Sequence, residues 1–403
     1  MNGTILALNA GSSSLKFRLY EVQGDQFYLI LRGQFDGVNE NPHLAVKEAD
    51  GKEICNIDLK IGEHMQEDML ERIFDVIKPY TAKSPLQAVG HRVLHGGGRF
   101  ADPVLLNDEI VDYLETLIPM GPLHQPANLA SVKLFRRIRP ELPQVACFDT
   151  AFHVNIDERA ARYPIPLEYE AKGYRRFGFH GLSYTYIADR LREISDYLVR
   201  KRTVVAHLGS GSSMCAMRDG KAIDTTMGLT PLGGLMMGTR SGTVDPGLVL
   251  TLMEKENLSP AEIKHMLYYK SGLLGVSGIS GDLRVLMSSD DPNAKKAIDL
   301  FVFRACRELS IMVATMQGIE SLVFSAGIGE NSSVIRKLIC ERAAWLGIQI
   351  DDEANNANAE IISSPESRVE VRVIPTDEEI VLAKQTASVI AESAKAGTSP
   401  VMA

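Results

Sequence analysis

The strongest constraint on this chain is a hairpin pattern that occurs twice. Thr4 to Leu8 reads as an apolar strand, AGSSS as a tight turn, and Leu15 to Val22 as a second strand with Leu15, Phe17 and Leu19 on one face. The shape returns at 203–226, where VVAHL runs into GSGSS, MCAM follows, and an Asp219-Gly220 turn leads to a further strand. ALNAGSSS and AHLGSGSS each end a strand in a polar residue and then meet Gly and Ser, which points to an internal duplication of the half-molecule. A P-loop would be strand, loop and helix with GxxxxGK[ST], and that motif is absent. Any phosphate cradle at the first turn therefore belongs to a hairpin. Strand-like and helix-like segments alternate throughout, so the class is α/β.

The chain of 403 residues has room for two or three domains at roughly 150 residues each. Its 45% hydrophobic and 23% charged residues are ordinary for a globular protein and exclude wholesale disorder or a collagen-like chain. A net charge of −8 argues against sequence-independent nucleic-acid binding but leaves room for a local basic pocket. Cys55, Cys147, Cys215, Cys306 and Cys340 form no CxxC pair, so neither a disulfide framework nor a zinc site is expected, and a reducing compartment fits. The opening MNGTILALNAGSSS lacks a basic n-region, and no apolar run approaches the roughly 18–20 residues that span a bilayer. A soluble, cytoplasmic protein without membrane or nucleic-acid partners is expected. A helix-like run from about Glu378 to Lys395 precedes a frayed tail.

Six polar clusters sit in apolar flanks. They are GHRVLHGG with His91, Arg92 and His95, GPLHQPANL with His124, CFDTAFH with Asp149 and His153, RRFGFHGLS with Arg175, Arg176 and His180, MMGTRSGTVDPG with Arg240, and VIPTDEE with Glu378 and Glu379. A further Gly-rich segment reads as a strand at Leu322 to Phe324, a loop AGIGEN, and a helix capped at Ser332 or Ser333 that runs to about Leu346 and closes at Gly347. Open α/β sheets place ligands at strand ends followed by Gly. Arg can bind two oxygens of a carboxylate or phosphate at once. Arg and His with a carboxylate-held Mg²⁺ suit phosphoryl transfer. Each cluster alone has a plainer reading. The Gly/Ser turn can be only a hairpin, and His91, His95 and His153 can be structural. Arg175-Arg176 can be a solvated pair, Arg240 can pair with a carboxylate, and Glu379 can be a helix-start charge. Either glutamate could be the functional one.

Taken in order, NAGSSSLKF, GHRVLHGG, PLH.PAN, FDTAFH, RRFGFHGLS, HLG.GSS, MGTRSG, SGISGDLR, AGIGEN and IPT.EE resemble the motifs of the acetate kinase family. That family of short-chain carboxylate kinases includes the propionate and butyrate kinases. The resemblance spans Asn9 to Glu379. It implies two duplicated domains of the actin and ribonuclease-H type, each a mixed sheet flanked by helices, with the active site in the cleft between them. The first domain would cover 1–150, joined by the last helix at about 380–403. The second would cover 151–380 and carry the nucleotide site and a homodimer contact. The implied reaction is reversible, direct in-line transfer from ATP to acetate, giving ADP and acetyl phosphate. Asn9 and Glu378 would hold Mg²⁺ or Mn²⁺. Ser12, Ser14, Lys16 and His124 would face the phosphates, and Arg92 the substrate carboxylate. His180 and Arg240 would stabilise the transferring phosphoryl group, and Asp149 would orient an arginine. His207, Leu208, Gly209, Ser210 and Gly211 would hold ATP, together with Asp282, Leu283, Arg284, Gly327, Ile328, Gly329, Glu330 and Asn331. Leu94, Leu123, Phe179 and Pro231 would surround the acyl methyl group.

The chemistry agrees with these roles. A carboxylate acceptor, with a pKa near ~4, is already ionised at neutral pH and needs no strong general base. It needs positive charge where two anions meet. The chain departs from the family's usual pattern at Gly98, Gln125, Leu182, Tyr184, Ser210, Gly233 and Thr243. Ser210 in place of an amide side chain removes a phosphate hydrogen bond, a loss of about 1–3 kcal/mol unless the hydroxyl or a water substitutes. Asn9, Arg92, Asp149, His180, Arg240 and Glu378 all remain, so an active enzyme with altered rate or acyl preference is expected. The rivals are a propionate or butyrate kinase and a non-catalytic nucleotide-binding homologue.

Overall fold

The computed structural model describes residues 2–11, 14–38, 42–59 and 65–395. The chain divides into two units, Met1–Ala151 with Asp377–Ala403, and Phe152–Thr376. The return begins at Asp377, so Glu378 and Glu379 belong to the first unit.

The first unit is built on an eight-stranded sheet of β1 (Asn2–Ala10), β2 (Ser14–Gln23), β3 (Gln26–Asp36), β4 (His43–Glu48), β5 (Glu53–Asp58), β6 (Leu86–Val93), β7 (Val104–Leu105) and β8 (Gln144–Phe148), in the order β5-β4-β3-β2-β1-β6-β8-β7. The second has a five-stranded sheet of β9 (Thr203–Leu208), β10 (Ser212–Arg218), β11 (Lys221–Thr225), β12 (Ser321–Ser325) and β13 (Glu370–Val373), in the order β11-β10-β9-β12-β13. The two sheets share one plan. β3-β2-β1 and β11-β10-β9 are antiparallel, while β1-β6-β8 and β9-β12-β13 are parallel. Antiparallel neighbours need only tight turns, whereas parallel neighbours need crossovers, and helices supply them here. The repeated hairpin is thus the visible part of a repeated five-strand unit.

Local chemistry explains the turns. In the first hairpin Ala10 pairs with Leu15, and the Gly11 N–H donates to the Ser14 carbonyl at 2.7 Å. In the second, Leu208 pairs with Ser212 and the Gly209 N–H donates to the Gly211 carbonyl at 3.1 Å. Asp219 and Gly220 both have positive φ, 55° and 70°, as a two-residue turn between twisted strands requires. β9 buries both faces, as a central strand should. Val204 and Ala206 pack with Phe301 and Leu309 of the helix Pro292–Thr315, and Val205 packs with Tyr184 and Ile187 of the helix Gly181–Ile194. Fully buried aliphatic side chains of this kind each contribute about 1.5–3 kcal/mol.

The helix Glu378–Lys395 lies on the first unit's sheet because Gly90 lets it approach. A Cβ there would stand 2.2 Å from Thr386 Oγ1 and 3.2 Å from the Leu382 carbonyl oxygen. No helix among the described residues is long and apolar enough to cross a membrane.

One expectation fails. AGIGEN is not a loop but the helix Ala326–Asn331, which begins directly after β12 with Ala326 at φ 64°. The cause lies further along the chain. Arg336 has no exposed surface and donates to the carbonyls of Gly329 and Glu330, both at 2.9 Å. It is held by Asn355 Oδ1 at 2.8 Å and Asn358 Oδ1 at 2.6 Å. These tertiary bonds outweigh the poor helix propensity of two glycines. The next helix, Ser333–Arg342, is capped by Ser332. A 3₁₀ turn, Ala344–Leu346, follows and closes at Gly347 with φ 89°.

Two histidines are core residues. His91 packs edge-on against Phe135, and burial pushes its pKa down to about 3 against a hydrogen bond with Gln144. Burial likewise lowers His153 to about 4, against a 3.0 Å bond to the Phe179 carbonyl. Both are neutral in the fold at neutral pH, whereas in the unfolded chain they titrate near 6.5. Below that pH the unfolded chain binds protons that the fold refuses. Stability is therefore full above pH 6.5 and falls as the pH drops toward 4, by about 2 kcal/mol for each histidine at pH 5. Urea unfolding at pH 7 and 5 should show this loss, and a smaller one in His91→Gln. Equal losses in the two proteins would contradict the assignment.

Candidate active site

In the first unit the parallel strands β1, β6 and β8 end on one edge, with Leu8 beside His91 and Val93 beside Phe148. The following positions bring Asn9, Arg92 and Asp149 together, as strand ends in an open α/β sheet do. Arg92 Nε and Nη2 both reach Asp149 Oδ2, at 3.1 and 2.5 Å. Its Nη1 donates to Asn9 Oδ1 at 3.1 Å and lies 3.2 Å from Glu378 Oε2. Asn9 Nδ2 donates to Glu378 Oε2 at 3.0 Å and to Glu379 Oε1 at 3.3 Å. Burial works to lower the Arg92 pKa, but Asp149 and Glu378 outweigh it and the net shift is upward. Arg92 is a fixed cation whose fork is aimed by Asp149.

Sequence reading missed Arg18, which pairs with Asp377 and with Glu379 at 3.3 Å. Burial raises the Glu379 pKa against the pull of Arg18, and Glu378 and Asp377 add to the rise. Glu379 is therefore more than a helix-start charge, and its alternation partner on β2 gave no sign of the pairing. Lys16 stands across from Asn9 in the ladder and is exposed. Ser14 opens β2. Ser12 lies outside the described residues.

The helix Gln125–Ile138 follows His124, which is its N-cap residue. Two buried amides on this helix brace the strand ends. Asn128 accepts from the Leu94 N–H at 3.0 Å and donates to the Ala10 carbonyl at 2.6 Å. Gln125 accepts from the His95 N–H at 3.0 Å and donates to the carbonyls of His95 and Leu114, at 3.2 and 3.1 Å. The Gln125 departure is thus spent on the backbone. Asn128 was also missed, although it is the last residue of PLHQPAN. Leu94 is buried and Leu123 half-buried.

In the second unit Ser325, at the end of β12, sits beside His207 on β9. The Leu208–Gly211 turn and the Gly327–Asn331 helix segment therefore start from neighbouring strand ends. Glu330 Oε1 accepts from the Thr376 N–H at 3.0 Å. Asp282 caps the helix Leu283–Met287, pairs with Arg284 at 2.6 Å, and leaves that guanidinium at the surface, while Leu283 is buried. Ser210 is exposed.

His180 holds φ 60° at the start of the helix Gly181–Ile194, a left-handed conformation that costs a non-glycine residue energy and clusters at functional sites. Its ring stacks on His207 with centroids 4.1 Å apart. His180 Nδ1 meets Ser213 Oγ at 2.8 Å, and His207 Nδ1 meets Ser183 Oγ at 2.8 Å. Arg240 is buried and donates to the Pro231 carbonyl at 2.7 Å. Burial lowers its pKa to about 10, which still leaves it cationic at neutral pH. No carboxylate pairs with it among the described residues. A Cβ on Gly211 would stand 2.5 Å from Arg240 Nη2 and 3.3 Å from His180 Nε2, so only glycine lets the turn pass this close. Phe179 and Pro231 are buried nearby in the chain. Arg176 is not a solvated residue, because it donates to the carbonyls of Ala160, Thr225, Thr226 and Met227. Arg175 is half-buried.

Comparisons with known proteins give one answer. Residues 4–384 match the model of the acetokinase family. An acetate kinase of Rhodopseudomonas palustris is 46% identical over 95% of this chain and 98% of its own length. An acetate kinase of Nitrobacter hamburgensis is 43% identical over 96% of each. Among solved structures, a propionate kinase from Francisella tularensis superposes with a TM-score of 0.86 at 36% identity, covering 95% of this chain and 98% of that one. The acetate kinase of Porphyromonas gingivalis gives 0.83 at 37%, covering 96% of this chain and 100% of that one. The motifs, the duplicated sheets and these likenesses agree: the chain belongs to the acetokinase family.

Proposed function

We propose that this chain transfers the γ-phosphoryl group of ATP to the carboxylate of acetate, forming ADP and acetyl phosphate reversibly. Its family membership and its acetate kinase relatives support that reaction. The observation that carries the site assignment is Arg240, a buried cation with no carboxylate partner among the described residues, beside His180 and Gly211. Burying an uncompensated charge is costly unless an anion arrives to meet it. A phosphoryl group is such an anion. Arg240 and His180 would spread the charge that develops on its equatorial oxygens during in-line transfer.

Arg92 would receive the acceptor carboxylate, with Asp149 fixing its fork. The Leu208–Gly211 turn, the Asp282–Arg284 cap and the Gly327–Asn331 segment would hold the nucleotide. Leu94, Leu123, Phe179 and Pro231 would select the acyl chain. Asn9 Oδ1 and the Glu378 carboxylate are hard oxygen donors on side chains joined by the 3.0 Å bond from Asn9 Nδ2 to Glu378 Oε2, and they fit Mg²⁺ or Mn²⁺, which needs few protein ligands beside water and phosphate. When bound, the ion would neutralise phosphate charge.

The likeness to a propionate kinase at a TM-score of 0.86 favours one second reading, a longer acid as acceptor. One methylene is worth only about 1–3 kcal/mol in an apolar pocket, so acids are expected to overlap as substrates. A homodimer is also proposed. The helix Pro246–Lys255, PGLVLTLMEK, is apolar yet buries no residue, and Leu250 is 59% exposed. A face of that kind marks an interaction surface.

ADP release from Mg-ATP should depend on added acid and should match acyl phosphate trapped by hydroxylamine, with acetate, propionate, butyrate and no acid compared. Arg240→Gln should lower the turnover by roughly 10²–10³-fold, as loss of a charge-stabilising donor does, while ATP still binds. ADP release indifferent to acid would overturn the reading. In sedimentation the chain should run at twice its 44.2 kDa, and Leu250→Glu at one chain mass. A monomeric parent protein would remove the dimer proposal.

A further inference from the structure

His180 is backed by two buried hydroxyls. Its Nδ1 lies 2.8 Å from Ser213 Oγ, and Ser213 Oγ lies 2.5 Å from the Tyr184 hydroxyl. Tyr184 and Ser213 have no exposed surface. Tyr184 reaches the row because it sits one turn along the helix that His180 begins, and Ser213 because it is the second residue of the return strand of the second hairpin, paired with His207. The opposite side of the imidazole, Nε2, lies toward Gly211 and Arg240.

We propose that Tyr184 and Ser213 are positioning residues that fix the Nε2–H tautomer of His180, so that the ring presents a donor on the side of Gly211 and Arg240. The inference rests on the reading of His180 as a group that contacts the phosphoryl oxygens.

Counting protons gives the assignment. The row contains two hydroxyl hydrogens and one imidazole nitrogen. If Tyr184 donates to Ser213 and Ser213 donates to Nδ1, every hydrogen has an acceptor and Nδ1 is unprotonated. The single proton of the neutral ring is then on Nε2. If Nδ1 carried the proton, Ser213 Oγ would have to accept it. The serine hydrogen would then either turn to the tyrosine oxygen, leaving the tyrosine hydrogen without an acceptor, or be left over itself. Each arrangement strands a buried hydroxyl, which folding disfavours. Burial raises the Tyr184 pKa well above its ordinary value, so the proton that starts the row stays in place. An Nε2–H donor is what a phosphoryl oxygen requires, whereas an Nε2 lone pair would repel it.

The test is the tautomer itself, read on the full-length protein without nucleotide. In ¹⁵N-histidine-labelled protein, long-range ¹H–¹⁵N spectra should assign His180, identified by its loss in His180→Asn, as the Nε2–H form. In Ser213→Ala the hydroxyl that donates to Nδ1 is gone, and the Nδ1–H form should appear. In Ser213→Thr, which keeps a hydroxyl, the parent signature should return. Ser213→Ala should also lower kcat by about 10- to 100-fold with the KM values for ATP and acid unchanged, because a misplaced tautomer harms the chemical step. An Nδ1–H or doubly protonated ring in the parent protein at neutral pH, or a tautomer unmoved in Ser213→Ala, would overturn the proposal. If the tautomer shifts as expected while no acid is phosphorylated by the parent, the row stands and the reading of the reaction falls.

Discussion

The whole arrangement depends on how a guanidinium can be buried. Taking that charge out of water is expensive, and the cost must be met by partners or by a ligand. The chain uses both solutions. Arg92 is met by Asp149, Glu378 and Asn9, so it is charged and still before any substrate arrives. Among the described residues Arg240 hydrogen-bonds only to the Pro231 carbonyl, and burial already pulls its pKa down to about 10. The first guanidinium is oriented, and the second is left short of negative charge. A carboxylate kinase needs that division, since its acceptor is already nucleophilic and its difficulty is electrostatic.

The fold makes this possible through parallel pairing. β1, β6 and β8 end side by side, and so do β9 and β12. Residues distant in sequence therefore emerge on one edge of each sheet. The two edges carry different cargo. The first presents Asn9, Arg92 and Asp149 with the two glutamates of the last helix. The second presents one glycine-containing turn, which starts just after His207, and the glycine-containing helix Ala326–Asn331. One repeated five-strand plan thus hosts both an ion-paired set and a backbone-rich set.

Much of this was legible because it is local. Asp219-Gly220 announces its turn by chemistry that any hairpin would use, and the helix from Glu378 to Lys395 was readable from its composition. The alternation of Leu15, Phe17 and Leu19 marked a buried face. What was not legible depends on partners far along the chain. AGIGEN is helical because Arg336 and the asparagines of a later segment hold it so. Arg18 lies on β2, and its carboxylate partners Asp377 and Glu379 come from the start of the returning C-terminal segment. Tyr184 stood out as a departure from the family's usual histidine, but its meaning needed Ser213, which lies in a hairpin 29 residues away. Roles for single residues came from the resemblance, and the structure adds which groups touch.

The central claim is that the phosphoryl group passes directly from nucleotide to carboxylate, held by cations rather than carried on a protein side chain. The stereochemical course at phosphorus tests it most directly. With ATP made chiral at the γ-phosphorus by oxygen isotopes, a single in-line displacement predicts inversion in the acyl phosphate product. Retention would mean two displacements through a covalent phospho-enzyme, and it would contradict the account.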